Sequence, residues 1–133
     1  PVVMQIECHP YYPAEKVTDF CFEKGIILQS WYPLGHGSNE LLNEPLFKAL
    51  AIKYHKTTSQ IILKWHTQMG FSAVPGSRSA NHILENIELF DFVLTNEEMY
   101  EIAKLNKHCP LYQITEKSQH ILATTIPDVD GEE

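Results

Sequence analysis

Two short runs of this chain carry side chains able to do chemistry where an apolar strand ends: Gln5-Ile6-Glu7-Cys8-His9-Pro10 and Ser30-Trp31-Tyr32-Pro33-Leu34-Gly35. A primary amide both donates and accepts hydrogen bonds, and so suits an amide partner. A tryptophan offers a flat face on which a ring can stack. A third run, Phe71–Ser77, breaks at Pro75-Gly76-Ser77 and is followed by Arg78 and Ser79. Hydroxyls and a guanidinium at a helix start suit an anion. Each run is apolar, then polar, then broken by proline, as in a buried parallel strand that delivers residues at its C-terminal end.

Competing chemistries are weak. The seven histidines show no His-Glu-x-x-His or Cys/His spacing, so no metal site is expected. His9 reads as a structural histidine bonded to backbone. Tyr32 follows Trp31, but no Lys or Arg lies close in sequence to tune it as an acid. No residue of this chain is therefore expected to be catalytic.

The elements between these runs are legible. Val2–Cys8 reads as a strand. A helix opens at Pro13, carries Val17, Phe20, Cys21 and Lys24, and stops at Gly25. Ile26–Trp31 is a second strand, and Tyr32–Glu44 a long polar loop. Pro45–His55 reads as a helix with Leu46, Ala49, Leu50 and Ile52 on its apolar face. Thr57–Gln60 forms a capping box opening a helix that ends before Gly70. Phe71–Val74 is a third strand. Ser79 is placed to cap a helix to Ile87, and Thr95–Glu98 opens another to Leu105. Beyond Asn106 the periodicity fades, and disorder is expected in the acidic tail from Ile126.

The chain has 133 residues, 44% of them hydrophobic, and a net charge of −7. That is room for one domain and no basic stripe for nucleic acid. Three scattered cysteines imply reduced thiols and a cytoplasmic location. No apolar run approaches the roughly 20 residues that span a bilayer, so no membrane partner is expected. Strand and helix alternate, which implies an α/β fold with parallel strands. Three such strands alone leave two apolar edges, and Pro1 leads directly into an apolar strand. The chain reads as a piece of something longer.

In order and spacing, Gln5–Pro10, Trp31–Gly35, Pro75–Ser77, Glu85-Asn86 and Phe90-Asp91-Phe92 resemble the second half of the aldo-keto reductase family; Trp31 with His36-Gly37 resembles its microbial branch. The resemblance implies a partial (β/α)8 TIM barrel, with residues 1–105 supplying strands six to eight and their helices, and residues 106–133 a C-terminal loop and acidic, partly disordered tail. It also implies NADPH as cofactor, with NADH possible, and reduction of a small-molecule aldehyde or ketone by hydride transfer.

Carried over by position, Gln5 would bond the nicotinamide carboxamide and Trp31 would stack on its ring. Leu34 and Gly35 would follow the pyrophosphate. Ser77, Arg78 and Ser79 would meet the 2′-phosphate, and Glu85 and Asn86 the adenine. Read as residues alone, Gln5 is equally a buried amide bonded to backbone and Trp31 core packing. Ser79 is equally a helix cap, and Glu85 and Asn86 ordinary helix surface. Cations that many NADPH-using members carry are absent at Gly76 and His82, which leaves Arg78 to grip the phosphate. At Met4, where Asn is common in the family, a polar contact is gone.

The family's Asp, Tyr, Lys and His catalytic set lies upstream of the matching region, so the chain alone is expected to be inactive. The parent would be a monomer, and an isolated half-barrel would self-associate through its edges. The other reading is a non-catalytic half-barrel serving as a binding or regulatory module.

Overall fold

The computed structural model describes residues 1–112 and 115–124. Three parallel strands, β1 (Val3–Glu7), β2 (Ile27–Trp31) and β3 (Ser72–Ala73), form one sheet in that order. Gln5 lies opposite Gln29, Glu7 opposite Trp31, and Gln29 opposite Ser72. Helices α1 (Glu15–Lys24), α3 (Pro45–Tyr54) and α4 (Thr58–Gln68) lie in the connections, and α5 (Ala80–Ile87) and α6 (Asn96–Ala103) follow β3. The short α2 (Asn39–Leu42) and the later α7 (Glu116–Thr124) complete the described elements.

The pleat sorts the strands into two faces. Met4, Ile6, Leu28, Ser30 and Ala73 turn toward the helices, where Leu28 joins Phe47, Leu50, Ile61, Ile62, Trp65 and Phe71 in the core. The opposite face is bare. Val3 and Ile27 form its lowest rung and are 45% and 50% exposed. Above them the Gln5 amide donates to Gln29 Oε1 at 2.8 Å, and the Gln29 amide donates to Ser72 Oγ at 3.4 Å. Glu7 and Trp31 make the top rung. Parallel sheets are ordinarily covered on both faces; among the described residues, this face is left uncovered at its Val3–Ile27 end.

Local signals place most of the helices. Gly25 ends α1 in the left-handed region, its N–H reaching the Cys21 and Phe22 carbonyls. Both capping boxes form: Thr57 with Gln60, and Thr95 with Glu98. Along α4, Gln60, Lys64 and Gln68 recur every four residues and so share one stripe. Their side chains bind the backbone of the last turn of α5 and of the segment after it. Gln60 donates to Glu85 O, Lys64 to Leu89 O, and Gln68 pairs with both the N–H and the C=O of Leu94.

Several expectations need correction. Helix α1 starts at Glu15, not Pro13, because Ala14 at φ 50° breaks the chain before it. The face that α3 buries is Phe47 and Leu50, with Leu46, Ala51 and Tyr54 partly covered; Ala49 and Ile52 face outward. The third strand is two residues long, not four. Ser79 occupies the N-cap position of α5 without a side-chain cap; its N–H donates to Ser77 Oγ at 3.1 Å. The 32–44 connection is a built structure: a tight turn at Gly35–Gly37, then α2 capped by Ser38 and anchored by the buried Leu41. Periodicity also missed α7. The expected disorder from Ile126 lies outside the described residues.

Candidate cofactor and substrate site

At the C-terminal ends of the strands, backbone geometry sets the site. After β2 the chain turns at Tyr32 (φ 54°), and the Gly35 N–H closes the turn on the Tyr32 carbonyl at 2.8 Å. Gly35 sits at φ +60°, where a Cβ would stand 3.0 Å from Leu41 Cδ2 and 3.2 Å from Ser38 Cβ. No larger residue fits that conformation and that space without movement. The turn leaves the half-buried Trp31 between Tyr32, at 4.1 Å between ring centroids, and Tyr112, edge-on at 5.5 Å.

Trp31 lines two cavities. One, of about 430 Å³, holds Gln5, Glu7, Tyr12, Pro110 and Tyr112. The second, of about 750 Å³, runs past Leu34, His36, Gly76, Ser77 and Arg78. A third, of about 170 Å³, shares Leu34, Gly76 and Ser77 with the second and extends to His82, Glu85 and Asn86. The three cavities are neighbours: the first two share Trp31 as a wall, and the second and third share Leu34, Gly76 and Ser77. Gly35 shapes the turn from a buried position, and Ser79 lines none of the three cavities. Gln5 is exposed, with an amide partner in Gln29, so the alternative of a buried amide bonded to backbone does not apply.

Electrostatics divide the strand-end residues into inert and polar groups. Burial, and after it Glu7, pushes the Cys8 thiol up to about 12, which removes it as a nucleophile. His9 is buried, and burial holds it below the ordinary histidine value despite Glu7 at 3.1 Å. Its ring partner is that carboxylate, not backbone; neutral, it donates from Nε2, and Nδ1 has no partner among the described residues. Among the described residues, no three His, Cys, Asp or Glu side chains are grouped to hold a metal.

Glu7 and Tyr112 were not singled out as site residues by sequence. Glu7 lies within the first run, and its one signal is a carboxylate at the buried end of an apolar strand. Tyr112 gives no signal, since 105 residues separate it from Glu7, whose carboxylate accepts its N–H.

The sequence profile of the aldo/keto reductase family matches residues 1–107. This chain belongs to the aldo-keto reductase family. It is 38% identical over 129 residues to aldo-keto reductase family 1 member D1 of Mus musculus, covering 90% of this chain and 40% of that relative. An aldo/keto reductase structure from Brucella melitensis superimposes with a TM-score of 0.74 at 36% identity, over 80% of this chain and 40% of that one. A variant of Gox0644 crystallised in complex with NADPH superimposes with a TM-score of 0.80 at 30% identity, over 86% and 41%. The chain thus spans about two fifths of the length of these aldo-keto reductases. Among its described residues, no helix is long and apolar enough to cross a membrane.

Proposed function

We propose that this chain is the cofactor-binding part of an NAD(P)H-dependent reductase that converts small aldehydes or ketones to alcohols. The observation carrying this reading is the row of neighbouring cavities that share Trp31, Leu34 and Ser77 as walls and so set out amide, aromatic face, hydroxyl and guanidinium in the order of a dinucleotide's own parts. In this assignment β1 to β3 are strands six to eight of the barrel, and the bare sheet face is its interior.

The residues present suit such a cofactor. Gln5 would bond the carboxamide, and Trp31 would stack on the nicotinamide and fix which face presents the hydride. Ser77 and Arg78 would hold the adenosine 2′-phosphate, with Leu34 beside the pyrophosphate and Glu85 and Asn86 at the adenine. When bound, the nicotinamide supplies the hydride. The chain's own part is to hold that ring still, since transfer requires near-attack geometry. The proton for the carbonyl oxygen would come from the Asp, Tyr, Lys and His set of the remaining barrel, not from this segment. Free Cys8, Cys21 and Cys109 fit a reducing, cytoplasmic setting.

The test is an Arg78→Ala variant titrated with NADPH and NADH. NADPH affinity should fall about tenfold, the value of one charge-assisted contact, with NADH spared. An equal effect on both cofactors would remove Arg78 from the phosphate site.

The exposed apolar surface favours a second reading, a half-barrel acting as a binding module. Val3 and Ile27 on the bare sheet face, and Ile83, Leu84 and Ile87 on α5, are all exposed. Separated from its other half, the chain should self-associate through these surfaces, whereas the parent reductase should be a monomer. Sedimentation of both forms tests these surfaces: a monomeric, soluble isolated chain would count against both the binding module and the bare face as barrel interior.

A further inference from the structure

A buried polar contact at the strand ends joins the beginning of the chain to its C-terminal segment. Glu7 is 7% exposed, yet its carboxylate is fully engaged. Oε1 accepts the Leu111 N–H at 2.6 Å and the His9 Nε2–H at 3.1 Å, and Oε2 accepts the Tyr112 N–H at 2.9 Å. Two consecutive backbone N–H groups converging on one carboxylate form a small anion nest, here supplied by the protein's own anion. Charge-assisted bonds of this kind are about twice as strong as neutral ones.

What the nest holds is a wall of the site. Pro110 and Tyr112 line the same cavity as Gln5 and Trp31, and Tyr112 meets the Trp31 ring edge-on. The segment is fixed again nearby: the Lys107 N–H bonds the Tyr11 carbonyl at 2.8 Å, and the Lys107 ammonium lies 3.7 Å over the Tyr11 ring. Those contacts hold the segment beyond α6 at Lys107, three to five residues before the wall. Among the described residues, the backbone N–H groups of 111 and 112 have Glu7 as their side-chain partner.

We propose that Glu7 is a positioning residue: its carboxylate seats residues 110–112 across the end of β1 so that Tyr112 stands against Trp31 and closes the substrate side of the nicotinamide position. Glu7 borders the same cavity, but its carboxylate is taken up by the two N–H groups and His9, and in this scheme it acts through Tyr112. The functional part of this inference rests on the reductase reading; the latch itself does not. Isosteric Glu7→Gln breaks the nest, because an amide offers one acceptor atom and turns N–H donors toward a backbone donor.

The test combines hydrogen exchange with kinetics on the protein containing the whole barrel. In Glu7→Gln, exchange at the Leu111 and Tyr112 amides should speed up at least tenfold while the β2 amides are unchanged. With NADPH and benzaldehyde, Glu7→Gln and Tyr112→Ala should each raise KM about tenfold and leave NADPH affinity within twofold. The double variant should be no worse than Tyr112→Ala alone, since one residue acts through the other. Unchanged exchange at 111 and 112 would overturn the latch, and additive KM effects would overturn its action through Tyr112. Tyr112→Ala alters an aromatic at the cavity wall and not the core, so an unchanged KM there overturns the proposal even if Glu7→Gln fails to fold. If the wild-type protein reduces no carbonyl compound, the reductase reading fails, and the exchange data still decide the latch.

Discussion

Lowering the pH from 7 to 5 should destabilise this fold through His66, which is fully buried in α4. Its Nδ1 lies 2.8 Å from the Ile62 carbonyl, and its Nε2 lies 3.1 Å from the Cys8 carbonyl and 3.2 Å from Ser30 Oγ. An imidazolium could donate to both carbonyls, yet burial outweighs that gain and brings the group from 6.5 down to about 4. Between those values the unfolded chain binds the proton and the folded one does not. Stability is therefore complete above pH 6.5, falls as the pH drops through that window, and levels out below about 4. Linkage over this interval gives a loss of about 2 kcal/mol at pH 5. His9, also held low by burial, adds in the same direction. The assay is urea unfolding at pH 7 and pH 5 for wild type and His66→Gln, which keeps a donor but cannot titrate. Wild type should lose about 2 kcal/mol more than the variant, and the His66 ring protons in NMR should not titrate near 6.5. A ring titrating near 6.5, or equal pH sensitivity of the two proteins, would refute the reasoning.

Other substitutions read other parts of the site. Trp31→Ala should weaken cofactor binding by about 1–2 kcal/mol on stacking grounds, measured by calorimetric titration; unchanged affinity would end the stacking role. Gly35→Ala combines a left-handed backbone with a Cβ 3.0 Å from Leu41, and should lower stability by about 1–3 kcal/mol in thermal or urea unfolding. Gly76 faces open space, with nothing within 4 Å of a Cβ, and lines the second cavity beside Ser77. Gly76→Lys should therefore fold normally and raise the preference for NADPH over NADH several-fold in paired titrations.

By itself the sequence determined whatever rests on neighbours along the chain. Thr57 with Gln60, Thr95 with Glu98, and Gly25 after α1 are local solutions to unsatisfied helix ends, and all three formed as read. The order of strands and helices, and the motifs marking an aldo-keto reductase, were legible for the same reason. Tertiary structure decided the rest. Whether α3 buries Ile52 or Phe47 depends on where α4 packs, since either choice continues a helical face. Whether Ser79 caps α5 depended on the turn of residues 77–79, where the Ser79 N–H bonds Ser77 Oγ and the Ser79 hydroxyl makes no cap. The stripe of Gln60, Lys64 and Gln68 looks like ordinary helix polarity until the 85–94 segment is laid against it. Glu7 became a latch only when the chain returned 104 residues later to offer two N–H groups. A hydrogen bond closed over such a distance leaves no periodicity in the sequence, because its partners are brought together only by the packing of everything between them.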